Sequence, residues 1–320
     1  MKKVDIVVPC YNEEEGIQVF YETTSGIVSK IQGYEFEFIF VDDGSKDKTL
    51  ERILALAETN KDVKYVSFSR NFGKEAGMFA GLNYSDGDYV IIMDADLQHP
   101  PELIPEMIKG VEEGYDCVAA RRTDRKGESG LRNLLSRAFY KLSNKLTTIK
   151  LERGVVDYRI MSRSMVDSVL SLSESQRFSK GIFEWVGYKK KWLPYENVER
   201  TIGKTKWNFW SLFKYAIDGI TAFSLTPLKV VTACGFFISF AAFIYIIITL
   251  IQTGVYGIDV PGYVTTLSAV LFLGGVIELS IGILGEYLGH IYVEAKDRPL
   301  YITRLTNIDT KGSKKDNGKV

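Results

Sequence analysis

Two long apolar runs near the carboxyl end constrain this chain more than any other feature. Val230 to Ile251 is about 22 residues of mainly aliphatic and aromatic side chains, and Tyr263 to Leu288 is a run of similar length; each can cross a hydrocarbon core of about 30 Å. A chain carrying them is expected to place a two-helix hairpin in a bilayer. The connector Gln252 to Gly262 has no lysine or arginine, whereas both outer flanks are basic. That bias predicts a connector outside and both termini in the cytoplasm, hence a multi-pass protein of the inner (plasma) membrane. Glu278 falls inside the second run, where an acid is a functional suspect, in subunit contact or in acceptor passage. Gly274, Gly275, Gly282 and Gly285 suit close helix packing and so a homo-oligomer.

The residues before Lys229 have the character of a water-soluble protein. Their first apolar run, Val4 to Pro9, is short and followed at once by polar residues, so no secretory signal is visible and this part is expected to stay in the cytoplasm. The 40 basic and 40 acidic residues balance, which argues against a nucleic-acid partner. Cys10, Cys117 and Cys234 are odd in number and scattered, so neither a disulfide framework nor a zinc site is expected.

Strand and helix patterns alternate through this part. Val4–Pro9, Phe36–Val41, Val63–Phe68, Tyr89–Met93 and Asp116–Ala120 read as strands; helices are expected up to about Ile31, over Thr49–Thr59 and over Lys74–Tyr84. The alternation predicts an α/β fold with a mainly parallel sheet covered on both faces. Ligands bind such sheets at the carboxyl ends of the strands, where Pro9 to Glu13, Asp42-Asp43 and Asp94 to Asp96 all fall. If strand geometry persists to its end, Asp94 and Asp96 point to one side, about 7 Å apart. Paired carboxylates there suit a hard cation, Mg²⁺ or Mn²⁺, that completes its shell with substrate phosphates. The competing reading is that they only end a strand and cap the helix near Pro100. No Walker or Rossmann glycine fingerprint is present, which argues against a nucleoside triphosphatase or a dehydrogenase.

Val-Pro-Cys-Tyr-Asn-Glu-Glu at 8 to 14, Val-Asp-Asp-Gly-Ser at 41 to 45 and Asp-Ala-Asp-Leu-Gln at 94 to 98 resemble family 2 glycosyltransferases of the GT-A fold. More narrowly, the chain is similar to polyprenyl-phosphate glycosyltransferases, the group of dolichyl-phosphate mannose synthases and bactoprenol glucosyltransferases. The resemblance covers about residues 4 to 210, and the hairpin matches the bactoprenol branch. It implies a nucleotide-sugar donor, with Pro9, Tyr11, Glu13 and Asp42 around the nucleoside and Asp94 and Asp96 at metal and diphosphate. A tyrosine ring can stack on a base and carboxylates can accept ribose hydroxyls, although Tyr11 is as easily a packing residue. The segment Ser69 to Lys74 also lies near the donor in the family, so Arg70 or Lys74 is expected at the diphosphate or in a solvated loop. An Asp in the setting of Asp157 lies near the reacting centre, which makes it a candidate base or orienting group beside Asp96.

Basic residues Arg122, Arg200 and Lys204 are the expected clamp for an acceptor phosphate, Arg in bidentate fashion, unless they only flank the membrane. Leu131 to Thr147 is apolar on one side and basic on the other, fitting either a membrane surface or the protein core. Gln176 to Gly181 departs from the Gln-x-x-Arg-Trp pattern of processive synthases, and two spans offer little for an export channel. The expected organisation is a cytoplasmic GT-A domain over 1–206, an interfacial helix over 207–228, two membrane helices within 229–290 (about 230–251 and 263–288) and a cytoplasmic tail over 291–320, polar and disordered from Lys311. The resemblance implies inverting transfer of a hexose, glucose from UDP-glucose foremost, to undecaprenyl phosphate. GDP-mannose and a UDP-amino sugar are the alternative donors. A silent membrane scaffold that senses nucleotide sugar is the alternative of another class.

Overall fold

The computed structural model describes residues 1–123, 152, 154–172, 174–175, 177–195, 224, 226–256 and 262–309. Its centre is β1 (Lys2–Cys10), an apolar strand paired in parallel on one side with β2 (Tyr34–Asp42) and on the other with β4 (Tyr89–Ile92). Side chains alternate across β1, so the sheet is covered on both faces. Val4, Ile6 and Val8 enter a core layer with Phe20 of α1 (Ile17–Val28), Ile53 of α2 (Thr49–Thr59) and Met107 of α4 (Ile104–Glu112). Val7 enters the opposite layer with Met78 and Leu82 of α3 (Lys74–Tyr84), Val166 of α5 (Arg163–Ser171) and Phe183 of α6 (Ser179–Trp185). Burying each such side chain contributes about 1.5–3 kcal/mol, so both layers hold the sheet. The packing of α3 on β1 is close at Gly81, where a Cβ would stand 2.1 Å from Val7 Cγ1.

The remaining strands are β3 (Val63–Phe68), β5 (Cys117–Arg122), β6 (Val155–Ser162), β7 (Lys190–Tyr195) and β8 (Thr303–Thr306). The sheet order is β7-β5-β6-β4-β1-β2-β3-β8. It is mainly parallel as expected, with β6 antiparallel to β4 and β5, and β8 antiparallel to β3. The reversal of β6 matters for the site. Because Ile92 pairs with Arg159, two further residues on each chain bring Asp94 and Asp157 level at one edge of the sheet.

Two findings correct the sequence-based picture. β4 ends at Ile92 and Leu97 takes a left-handed φ of 54°, so Asp94 and Asp96 stand in the turn beyond the strand rather than on it. The segment after the hairpin is not merely a tail, because β8 belongs to the same sheet as β1 to β7. The hairpin itself forms α7 (Thr226–Tyr256) and α8 (Tyr263–Ala295), longer than the apolar runs alone. Both are long and apolar enough to cross a membrane, and Phe236, Phe237, Phe272, Ile281 and Leu288 are exposed on them. The expected amphipathic helix at Leu131–Thr147, most of the 207–228 segment, Arg200, Lys204 and the stretch from Lys311 lie outside the described residues.

Candidate active site

Three strand ends meet where the sequence clusters predicted. The β1 and β2 ends are stitched together: Asp43 N–H donates to Cys10 O at 2.9 Å, Asn12 N–H to Ser45 Oγ at 3.0 Å, and Glu13 N–H to Thr49 Oγ1 at 2.8 Å. Asn12 holds a left-handed φ of 53° and its Oδ1 accepts from Lys46 N–H, a conformation asparagine tolerates better than most residues. Pro9 lies two residues past Val7, whose carbonyl takes the Met93 N–H, so its missing N–H falls where the β4 ladder has ended. Pro9, Tyr11 and Glu13 are part-buried on this edge, next to the acidic turn of β2.

That turn is held from within. Asp42 accepts from Ser45 N–H at 3.0 Å and Ser67 Oγ at 2.8 Å, and is buried. Asp43, its neighbour, accepts Phe72 N–H at 2.6 Å and Gly73 N–H at 2.9 Å, fixing the loop that precedes Lys74. Gly44 has φ +63°, and a Cβ there would stand 2.4 Å from the Arg70 carbonyl carbon. Only glycine lets the turn and this loop touch.

Lys74, at the start of α3, is the cation of the site. Its Nζ lies 2.7 Å from Asp94 Oδ1 and 2.9 Å from Asp157 Oδ2. Burial works to lower the Lys74 pKa, but Asp157 and Asp94 outweigh it and hold the ammonium well above its ordinary range. Burial alone would raise the Asp157 carboxyl; Lys74, with Lys180 and Arg159, reverses this and holds it well below the usual carboxylate range. Asp157 is therefore a fixed anion in this arrangement. Asp96 Oδ1 accepts Gln98 N–H at 3.1 Å, which orients its carboxylate within the turn.

Other residues pack beside this cluster, and of these His99, Tyr195 and Glu75 escaped the sequence reading. The His99 ring stacks on Tyr158, 5.4 Å between centroids, and meets the edge of Tyr195 at 6.2 Å. Its Nδ1 is buried, has no hydrogen-bond partner among the described residues, and lies 3.8 Å from Asp94 Oδ2. Burial pulls its pKa down, favouring the neutral ring. Arg122 pairs in register with Tyr195, whose hydroxyl burial pushes up to about 12 despite the Arg122 charge, and Arg122 Nε is also buried without a partner among the described residues. Glu75, next to Lys74, accepts from both the N–H and the hydroxyl of Ser179 and so ties α6 to the start of α3. A lone histidine before two prolines and a glutamate in a helix carry no distinguishing sequence signal. Asp43 did stand in the acidic pair, and its role became visible only with the loop it holds.

Asp94 and Asp96 offer hard oxygen donors, and the Lys74 ammonium shows that this pocket already draws a positive charge onto Asp94. The arrangement can therefore hold a divalent cation and an anionic substrate beside it.

The family model described as Glycosyl transferase family 2 matches residues 5–170, and a second, described as GtrB C-terminal hairpin, matches residues 226–291. A Bacillus subtilis (strain 168) protein provisionally named as the glycosyltransferase CsbB is 50% identical over 308 residues, which is 96% of this chain and 93% of that protein. The SfII prophage-derived bactoprenol glucosyl transferase of Shigella flexneri is 45% identical over 305 residues, 95% of this chain and 98% of its own. A prophage bactoprenol glucosyl transferase homolog of Escherichia coli (strain K12) is 43% identical over 302 residues, 94% and 98% of the two chains.

Proposed function

Because the chain belongs to glycosyl transferase family 2, we propose that it moves glucose from UDP-glucose onto a polyprenyl phosphate, undecaprenyl phosphate in particular, at the cytoplasmic membrane face and with inversion at the anomeric carbon. The observation that carries this reading is the meeting of Asp94, Asp157 and Lys74 at the strand ends, in a chain that continues into two membrane-length apolar helices. The relatives named for bactoprenol glucosyl transfer support that sugar and acceptor.

In the proposed reaction an acceptor phosphate oxygen attacks the anomeric carbon. The bond from that carbon to the diphosphate oxygen breaks, and its electron pair leaves with the nucleoside diphosphate. A phosphate monoester has its second ionisation near about pH 6, so the attacking oxygen is already anionic and needs no strong base. Asp157, held ionised by Lys74, accordingly serves to position that lysine and the reacting groups. Asp94 and Asp96 would hold Mg²⁺ or Mn²⁺, which when bound supplies Lewis-acid stabilisation of the leaving diphosphate. Pro9, Tyr11, Glu13 and Asp42 line the nucleoside side in this reading. Arg122, on β5, is the proposed contact for the acceptor phosphate, and Arg200 and Lys204 remain its candidate partners from the sequence.

β8 supports the membrane orientation. A hairpin whose far end returns to the sheet of the domain before it would, in a bilayer, have both of its ends on one side. Among the described residues, a Cβ at Gly274, Gly275, Gly282 or Gly285 would meet nothing within 4 Å, leaving that small-residue surface open to a second copy.

Calorimetry with UDP-glucose, UDP-N-acetylglucosamine and GDP-mannose, each with and without Mn²⁺, tests the donor site. The reading expects metal-dependent binding of UDP-glucose that is lost in Asp94→Asn. Tighter binding of GDP-mannose would replace the donor, and metal-independent binding of all three would remove the cation role of Asp94.

A further inference from the structure

We infer that the segment following the membrane hairpin builds part of the donor site, with Tyr301 as a positioning residue for the loop from Ser69 to Lys74. Only the short stretch from Lys296 to Ile302 separates α8 from β8. β8 pairs with the carboxyl half of β3 through Val66 with Thr306, Ser67 with Leu305 and Phe68 with Thr303. One more bond, Ser69 N–H to Ile302 O at 3.0 Å, carries the pairing into the loop itself. Asn307 adds two contacts to β3, accepting from Tyr65 N–H at 2.8 Å and donating to Val63 O at 3.2 Å.

Tyr301 stands at the middle of a continuous stack. Its ring lies on Phe68 with centroids 4.9 Å apart and 17° between planes, and meets Phe79 at 6.4 Å; its hydroxyl accepts from Asn83 Nδ2 at 3.0 Å. Phe68 meets Phe72 edge to face at 5.8 Å, and the Arg70 guanidinium caps Phe72 at 3.9 Å. In the other direction the Arg177 guanidinium caps Phe79 at 4.3 Å. Both ends close on the same point. The loop at Phe72 and Gly73 is held by Asp43 and leads into Lys74, while Arg177 leads to Ser179, which is bound by Glu75. A residue that arrives only after two membrane helices thus supports both loops around the Asp94–Lys74–Asp157 cluster.

An edge strand that merely covers β3 would need the ladder and not the ring. The test therefore separates them, in the full-length protein in detergent. Amide hydrogen exchange over 69–74 and UDP binding by calorimetry are compared in wild type, Tyr301→Phe, Tyr301→Leu and Tyr301→Ala, with Leu305→Ala as a ladder-side control. The Leu variant keeps most of the apolar volume if the Ala variant folds poorly. The inference expects exchange over 69–74 to quicken about tenfold and the UDP Kd to rise about tenfold in the Ala and Leu variants. Exchange over 34–42 stays as in wild type, Tyr301→Phe remains within about twofold and Leu305→Ala is unchanged. Wild-type exchange over 69–74 in both the Ala and Leu variants would overturn the inference. The nucleotide arm rests on the donor reading and the exchange arm does not. Wild-type protein that binds no UDP would sink the donor reading, while the exchange comparison still decides the role of Tyr301.

Discussion

With Lys74 replaced by methionine, Asp94 and Asp157 would face one another without the ammonium that now lies within 3 Å of both. Transfer should fall at least about a hundredfold, read as kcat/KM, because preorganised charge at a reacting centre carries effects of that size. The stability effect has a definite pH signature. The folded-state pKa of Asp157 is depressed, so the pair contributes stability above the ordinary Asp value of 3.8 and loses it as pH falls below that value. The Tm gap between wild type and Lys74→Met should therefore be open at pH 7 and narrow at pH 3; an equal gap at both would contradict the pairing. His99 gives a second residue-scale expectation. Its stacked ring holds Nδ1 3.8 Å from Asp94 Oδ2, where it supports a carboxylate proposed to hold the metal, so His99→Phe should raise the Mn²⁺ concentration needed for half-maximal activity about tenfold with a smaller change in kcat. Asp94, Asp96, Lys74 and Asp157 were all singled out from the sequence as candidates. That Lys74 joins two of these acids was not, since residues on α3, after β4 and in β6 meet only through the sheet order.

Among the elements, the acidic turn after β2 offers the clearest test. Gly44→Ala would force a Cβ into the Arg70 backbone at a positive φ, and should destabilise by at least about 2 kcal/mol, seen as a lowered midpoint of unfolding. Elements with clear apolar spacing were readable nearly to the residue: Val63–Phe68 coincides with β3, and the helices at Thr49–Thr59 and Lys74–Tyr84 with α2 and α3. α2 buries Thr49, Ile53 and Leu56 along one side and β3 buries Val63, Val66 and Phe68, so the spacing of apolar residues marks them. β8 was invisible for the opposite reason. Thr-Arg-Leu-Thr is short and half exposed, and it is a strand only because β3 offers an unpaired edge beside it. The turn carrying Asp94 and Asp96 was placed correctly but given strand geometry, because its left-handed Leu97 is set by surroundings that the local sequence does not announce.

At the scale of the whole molecule, the sheet is followed by a hairpin of two long apolar helices whose far end returns to that same sheet through β8. The topology that follows can be checked by labelling. In a Cys234→Ala background, an impermeant maleimide should reach Gly262→Cys in intact cells and Lys296→Cys only after permeabilisation; the reverse pattern would refute it. The two apolar helices were legible because runs of about 20 apolar residues stand out in sequence, whereas the return of β8 to the sheet needed the tertiary pairing. The proposed function is that this fold brings a nucleotide sugar to a lipid phosphate. Its most direct test is transfer of radiolabelled sugar to undecaprenyl phosphate by the purified protein in detergent, offering UDP-glucose, UDP-N-acetylglucosamine and GDP-mannose in turn, with and without chelator. A chelator-sensitive glucosyl lipid from UDP-glucose that disappears in Asp94→Asn is expected; nucleotide binding with no lipid product from any of the three donors would refute the proposed transfer.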